Sequence, residues 1–203
     1  MSPNGEHGTP ALPDEDLLRA RTYALLARLL AQPPGHDLLS ALAAMDGDGS
    51  PLGEAFRGLA DAARSASPEA VVEEHMVLFI GVGGSELTPY ASYYLTGFLN
   101  EKPLADLRGD MARLGIARAD DVRDPEDHIA ALCEMMSGLI FGAFDAPATL
   151  DGQRAFYDRH IAPWASRFFA DLETSPSAAF YRAVGTLGRR FLEVEGQAFA
   201  MAA

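Results

Sequence analysis

Along most of the chain, apolar residues return every third or fourth position, the period that gathers them on one face of a helix. Asp14 caps the first such stretch, where Leu18, Leu25, Leu26, Leu29 and Leu30 keep the spacing until Pro33 and Pro34 end it. A short helix is expected over residues 36–45, followed by a Gly- and Asp-rich connection over 46–51. Residues 52–64 read as a moderately amphipathic helix. Ser67 and Pro68 start the next, with Val71, Val72, His75, Met76 and Phe79 on its buried side, and Gly81, Gly83 and Gly84 stop it. Residues 93–100 read as one more short segment, and Pro103 begins a helix carrying Leu104, Leu107, Met111 and Leu114 that Gly115 ends.

The second half opens with Asp124 as an N-cap and Pro125 as the first residue of a helix running to Ile140. Helical geometry puts Ile129, Leu132, Met136, Ile140 and Ala143 on its apolar stripe and Asp127, Ala131, Glu134 and Gly138 opposite, with His128 at the border. Asp127 and Glu134 are therefore expected to face water or a ligand. Residues 153–160 form a further helix, interrupted at Pro163, with Trp164 and Phe168 buried beyond it. Ser175 and Pro176 open the last helix, whose stripe is Phe180, Val184, Leu187 and Phe191. No stretch alternates like a strand for more than a few residues, and no repeat of fixed period occurs. The expectation is an all-α, single-domain helical bundle of roughly nine or ten helices over residues 14–203, behind a disordered tail over 1–13.

Composition narrows the setting. At 203 residues the chain can bury one core without staples, and its single cysteine, Cys133, has no partner and no metal-type spacing. That usage suits a reducing compartment, and the opening MSPNGEHGTPALP lacks the basic and apolar segments of a signal peptide, so a cytoplasmic protein is expected. The longest uncharged apolar stretch, 135–144, falls well short of the ~20 residues that span a bilayer, so no stable membrane insertion is expected. A net charge of −13 repels phosphate backbones, which argues against nucleic acid and anionic membrane. It favours a cationic or apolar partner, and an Arg-bearing peptide would be such a partner.

Enzyme motifs are mostly missing. The run Gly81, Val82, Gly83, Gly84 lacks the third glycine of a dinucleotide loop and follows a helix instead of a strand, so it reads as a helix stop. There is no P-loop, nucleophile elbow, CxxC or HExxH, and no Glu lies three residues before a histidine. His128 and Cys133 diverge on one helix, so with Asp127 they make a poor metal site; neither metal nor cofactor is expected. Two readings stay open for several residues. Either the Asp127 carboxylate complements a helix dipole, worth ~0.3–1 kcal/mol, while His128 packs against its neighbours, or the pair binds a ligand. Pro89, Tyr90, Tyr93 and Tyr94 either cap the bundle or wall a groove, and Ser92 can be a plain N-cap. Glu126, Asp127 and Glu134 are either a solvated face or a cluster that attracts an Arg pair.

The stretches EEHMVLFIGVGGSELTPYASYY (73–94) and DPEDHIAALCEMMSGLI (124–140) resemble the signatures of the TorD/DmsD/NarJ family, the cytoplasmic redox-enzyme maturation chaperones. The matching residues are Glu74, Leu78, Phe79, Gly81, Pro89, Tyr90, Ser92 and Tyr94, then Pro125, Asp127, His128 and Met136. A third match is the run Phe156, His160, Ile161, Trp164 and Phe168, and together they cover about Leu17 to about Glu195. Many members carry an acidic residue where Leu132 stands and Trp where Tyr90 stands.

The resemblance implies a TorD-like fold with no turnover of its own. It implies binding of an apo-molybdoenzyme catalytic subunit, through its twin-arginine signal peptide and part of its body, until the molybdenum cofactor is inserted. The client-binding residues it implies are Phe79, Pro89, Tyr90, Ser92, Tyr94, Glu126, Asp127, His128 and Glu134. The carboxylates near Asp127 would take the guanidinium groups, and a groove by Phe79, Pro89, Tyr90 and Tyr94 the hydrophobic region. Residues 89–108 and 125–136 look most like the branch associated with formate dehydrogenases; dimethyl sulfoxide, trimethylamine N-oxide and nitrate reductases remain open as clients. Members of the family bind guanine nucleotide weakly and dimerise, which leaves a homodimer open. The competing classes are a helical enzyme with an Asp127/His128 dyad and a non-catalytic scaffold for a membrane redox complex.

Overall fold

Serines, a threonine and prolines decide where several helices start. In the computed structural model, which describes residues 12–81, 84–118 and 124–202, α1 (Asp14–Ala31) begins after Pro13 with Asp14, Glu15 and Asp16 in its first turn, where they complement the dipole. Asp14 is thus the first helical residue and not the cap. After α2 (His36–Ala43), the Ser50 hydroxyl accepts from the Gly53 amide at 3.0 Å and Pro51 takes the first position of α3 (Pro51–Ser65). Ser67 accepts from the Ala70 amide at 3.2 Å in the same way and opens α4 (Pro68–His75), which continues as a π-helical turn, Met76–Ile80.

Then come α5 (Ala91–Thr96), α6 (Lys102–Arg113), α7 (Ile129–Phe141) and α8 (Leu150–Phe156), the last capped by Thr149 and continued by a second π turn, Tyr157–Ile161. The chain ends with α9 (Ala165–Thr174) and α10 (Phe180–Met201). Among the described residues there are ten α-helices and no strand, so the all-α bundle expected from periodicity is borne out. The expected tail lies, apart from Leu12 and Pro13, outside the described residues, as does Gly83 of the expected helix stop.

Packing follows the apolar stripes. α1 lies along α7, α10 lies along α9 and α3, and α2 packs on α3. Tyr23, Leu26 and Leu29 of α1, Ile129, Leu132, Met136 and Ile140 of α7, and Phe168, Phe169 and Leu187 of α9 and α10 are fully buried in one cluster. Trp164 and Phe168 are buried as expected. The α9–α10 approach depends on a missing side chain: a Cβ on Gly188 would lie 2.2 Å from the Phe169 ring.

Polar groups inside this core are tied across elements. Glu195 of α10, 1% exposed, accepts from Arg19 Nε at 2.6 Å, Arg19 Nη2 at 3.0 Å and the Tyr23 hydroxyl at 3.1 Å. Arg19 reaches on to Asp16 at 2.7 Å and to Gln153 of α8 at 3.1 Å, so one partly buried network joins α1, α8 and α10. A second carboxylate, Glu74 of α4, accepts from the amides of Ala179, Phe180 and Tyr181 at 2.8, 3.0 and 2.7 Å. It caps α10 from another helix, which is why α10 starts at Phe180 and not directly after the expected Ser175–Pro176 signal. No helix among the described residues is long and apolar enough to cross a membrane.

Candidate functional site

The site is built where the π turn after α4 faces the start of α7. A π turn carries one extra residue, so the side chains beyond it rotate relative to the helix before it. Here the Gly81 amide donates to the Met76 carbonyl at 2.7 Å, and Gly81 ends the turn at φ +51°, a conformation that favours glycine. Leu78 is buried in the core and Phe79 is half-buried against the His75 and Tyr181 rings, while Ile80 is exposed, as are Val72 and Met76 despite their expected burial. The chain then folds back, with the Glu86 and Leu87 amides donating to Val77 and Leu78 carbonyls at 3.2 and 2.9 Å.

The start of α7 corrects the sequence expectation. Residues 124–127 form a turn and α7 begins only at Ile129, because the backbone here pairs with the 89–91 segment instead of with itself. The Ile129 amide donates to the Pro89 carbonyl at 2.9 Å, the Ala91 amide to the Asp127 carbonyl at 3.0 Å, and Tyr90 and His128 form an isolated antiparallel bridge. His128, not Asp124, is the N-cap: its Nδ1 accepts from the Ala130 amide at 3.1 Å.

This shift changes what the acidic residues do. Asp127 is 1% exposed and its Oδ2 accepts from the Ser92 amide at 2.7 Å, so it caps α5 and does not face a ligand as expected. Glu126 is buried too and accepts from Arg108 Nε and Nη2 at 3.0 and 2.8 Å, with Arg118 3.6 Å away. Its charge is already matched, so it is not a free anion for an Arg pair. Glu134 is exposed on α7, as expected.

Between these elements lies a cleft of about 450 Å³. Ala24, Ala27, Arg28, Leu30 and Ala31 of α1 form one side; His75, Phe79 and Ile80 of α4 and its π turn form another. Pro89 and Tyr90 close a third, and Asp124, Pro125, His128, Ala131, Glu134 and Ser137 complete it from the α7 side. The rings are packed edge to face, Tyr90 on His128 at 4.9 Å and His75 on Phe79 at 5.1 Å between centroids. Burial holds the His128 pKa down to about 4, against the pull of Asp124 and Asp127, so the ring is neutral at neutral pH. Burial, then the same two carboxylates, pushes the Tyr90 hydroxyl up to about 12.

Of the nine residues singled out by sequence, Phe79, Pro89, Tyr90, His128 and Glu134 therefore line one cleft. Ser92, Tyr94, Glu126 and Asp127 do not. Ser92 is fully buried. Tyr94 does not line this cleft: its hydroxyl donates to Asp171 at 3.0 Å and its ring packs against Trp164 at 5.3 Å. Sequence reasoning missed Arg28, His75 and Asp124 as lining residues. The only available signal was the helical spacing of His75 and Phe79, which marks a shared face without saying that the face opens on a cleft.

Other chemistry finds little support in this geometry. Neither Asp127 oxygen bonds the His128 ring: one serves the Ser92 amide and the other, Oδ1, has no partner. The carboxylate thus does not orient the imidazole as a catalytic dyad would need. No group of three metal-ligating side chains occurs among the described residues, and burial pushes the Cys133 thiol up to about 12, far from a reactive thiolate.

A family model described as the nitrate reductase delta subunit matches residues 46–170. The chain is 30% identical over 125 residues to a chaperone protein TorD of Aliivibrio fischeri and 30% identical over 126 residues to that of Photobacterium profundum. Each of these matches covers 58% of both chains, so the chain spans under two thirds of these relatives' length. A TorD of Ferrimonas balearica is 24% identical over 169 residues, covering 82% of this chain and 77% of the relative. Among solved structures, one described as a redox enzyme maturation protein from Archaeoglobus fulgidus superposes with a TM-score of 0.59 at 19% identity, covering 92% of this chain and 99% of that one. At that identity the likeness establishes the fold.

Proposed function

The chain belongs to the nitrate reductase delta subunit family, and on that basis we propose that it is a maturation chaperone for a molybdenum-containing redox enzyme. It acts by holding a cationic, apolar leader peptide of the apo-enzyme and has no turnover of its own. One observation carries this reading: the cleft sets an aromatic and proline wall, Phe79, Pro89 and Tyr90, beside two exposed carboxylates, Asp124 and Glu134. The wall suits the apolar run of a leader, and the carboxylates its arginines. Asp127, in this reading, is a positioning residue that fixes the 90–92 segment. The exposed carboxylates are Asp124 and Glu134, which take over the role first assigned to Glu126 and Asp127. The net charge of −13 speeds encounter with such a partner and makes it salt-sensitive.

The test is a titration of the purified chain with a synthetic leader carrying two adjacent arginines and an apolar run, and with the same peptide carrying two lysines. The arginine peptide is expected to bind severalfold tighter, because an ammonium cannot reproduce the bidentate fork of a guanidinium. Equal affinities would sink arginine recognition. A formate dehydrogenase as client, in the cytoplasm, rests on the wording of residues 89–108 and is tested by what co-purifies from native extract. Recovery of the folded holoenzyme in preference to the apo form would favour an assembly scaffold instead.

A further inference from the structure

His75 sits on the floor of the cleft, 6% exposed, with the Phe79 ring 5.1 Å and the Tyr181 ring 5.7 Å away. One ring nitrogen is hydrogen-bonded to the carbonyl of Leu30 in the last turn of α1. The other, Nε2, is buried and has no hydrogen-bond partner. Buried polar atoms without partners are rare and cost stability, so one that lines a cleft points to something that binds there. Its chemistry is fixed by its neighbour. A carbonyl can only accept, so the nitrogen facing Leu30 carries the proton and Nε2 carries the lone pair. Burial lowers the His75 pKa and keeps the ring neutral near neutral pH, so Nε2 is an acceptor waiting for a donor.

The surroundings say what kind of donor. Asp124 and Asp127 both act on the adjacent Tyr90 and His128 rings, and Glu134 is exposed on the α7 side of the lining. Arg28, on the α1 side, is exposed and carries a long, mobile side chain. A flat cation with N–H groups suits a cleft lined by the Phe79 and Tyr90 rings, gaining from the aromatic faces and from the two exposed carboxylates and offering N–H donors to the imidazole. We propose that His75 Nε2 accepts a hydrogen bond from an arginine guanidinium of the bound peptide, which makes His75 a specificity-determining residue of the cleft. This rests on the peptide-binding reading and moves the seat of one arginine from the acidic turn before α7 to the cleft floor.

A double-mutant cycle on the full chain tests it. His75→Asn places an amide where the first ring nitrogen stands, so it can still donate to Leu30 while deleting the Nε2 acceptor; His75→Gln reaches the Nε2 position. The probes are the synthetic two-arginine leader and versions with each arginine in turn replaced by norleucine, titrated calorimetrically. For one of the two arginines, the Asn variant should lose about tenfold in affinity for the arginine peptide and less than twofold for the norleucine one. The Gln variant should stay within about threefold of wild type, and the melting temperature of the Asn variant should not fall. If the Asn variant proves unstable, His75→Phe, which fills the same space without an acceptor, decides the same cycle. Equal losses on all peptides, or none, would overturn the role of His75 while the peptide reading stands. Failure of the wild-type chain to bind the arginine peptide would overturn both.

Discussion

Removing the Asp127 carboxylate would leave the Ser92 amide at the start of α5 without its acceptor, inside the protein. Asp127→Ala should therefore lower stability by about 1 kcal/mol, read by urea denaturation, and weaken peptide binding only through the shifted Tyr90 wall. Lost binding at unchanged stability would instead put Asp127 in contact with the ligand. His128 makes a separate prediction through its depressed pKa. Its ring stays neutral in the folded chain down to about 4, whereas in the unfolded chain it takes up a proton near 6.5. The unfolded state thus binds more protons in that window, so stability that is complete above pH 6.5 is lost as pH falls toward 4, by an amount on the order of 2 kcal/mol. Burial lowers the pKa of His160 and His75 as well, so His128→Asn, which can still accept from the Ala130 amide, should make that limb of a stability–pH curve shallower without removing it; an unchanged slope would assign the limb to other groups.

Among the elements, Glu74 shows why helix starts were the least legible feature. It matters to α10, whose first amides lie 105 residues further on, and no local pattern could reveal that pairing. Glu74→Ala should cost about 1–2 kcal/mol and speed amide exchange at Ala179, Phe180 and Tyr181 specifically. The same limit misplaced the start of α7. An Asp-Pro pair favours a turn as much as a helix entry, and only the backbone bonds to Pro89 and Ala91 decide for the turn. The apolar stripes, by contrast, were legible because burial acts on every turn of a helix: Ile129, Leu132, Met136 and Ile140 lie in the core as their spacing requires. Half of the site could be read for the same reason. Phe79, Pro89 and Tyr90 are apolar residues beside a helix stop, whereas the buried roles of Glu126 and Asp127 depend on partners such as Arg108 and Ser92 that only the fold brings near.

At the scale of the whole molecule, the Arg19–Glu195 pair joins the first helix to the last across 176 residues. Glu195→Ala would leave Arg19 with Asp16 and Gln153 as its partners among the described residues and the buried Tyr23 hydroxyl without its acceptor, and should cost about 2 kcal/mol, visible as a lower urea midpoint at unchanged slope. The arrangement also bears on synthesis. α1 is made before the elements that cover it: its apolar face is covered by α7 and its half-buried arginine is neutralised by α10. Until α7 has been made, the side of the cleft that α1 supplies has nothing to face, and until α10 follows, Arg19 lacks its main counter-charge. On the proposed function, a nascent chain is expected to engage no leader peptide until α7 and α10 have left the tunnel, so a chaperone and its client could be produced side by side without the unfinished helper seizing its cargo.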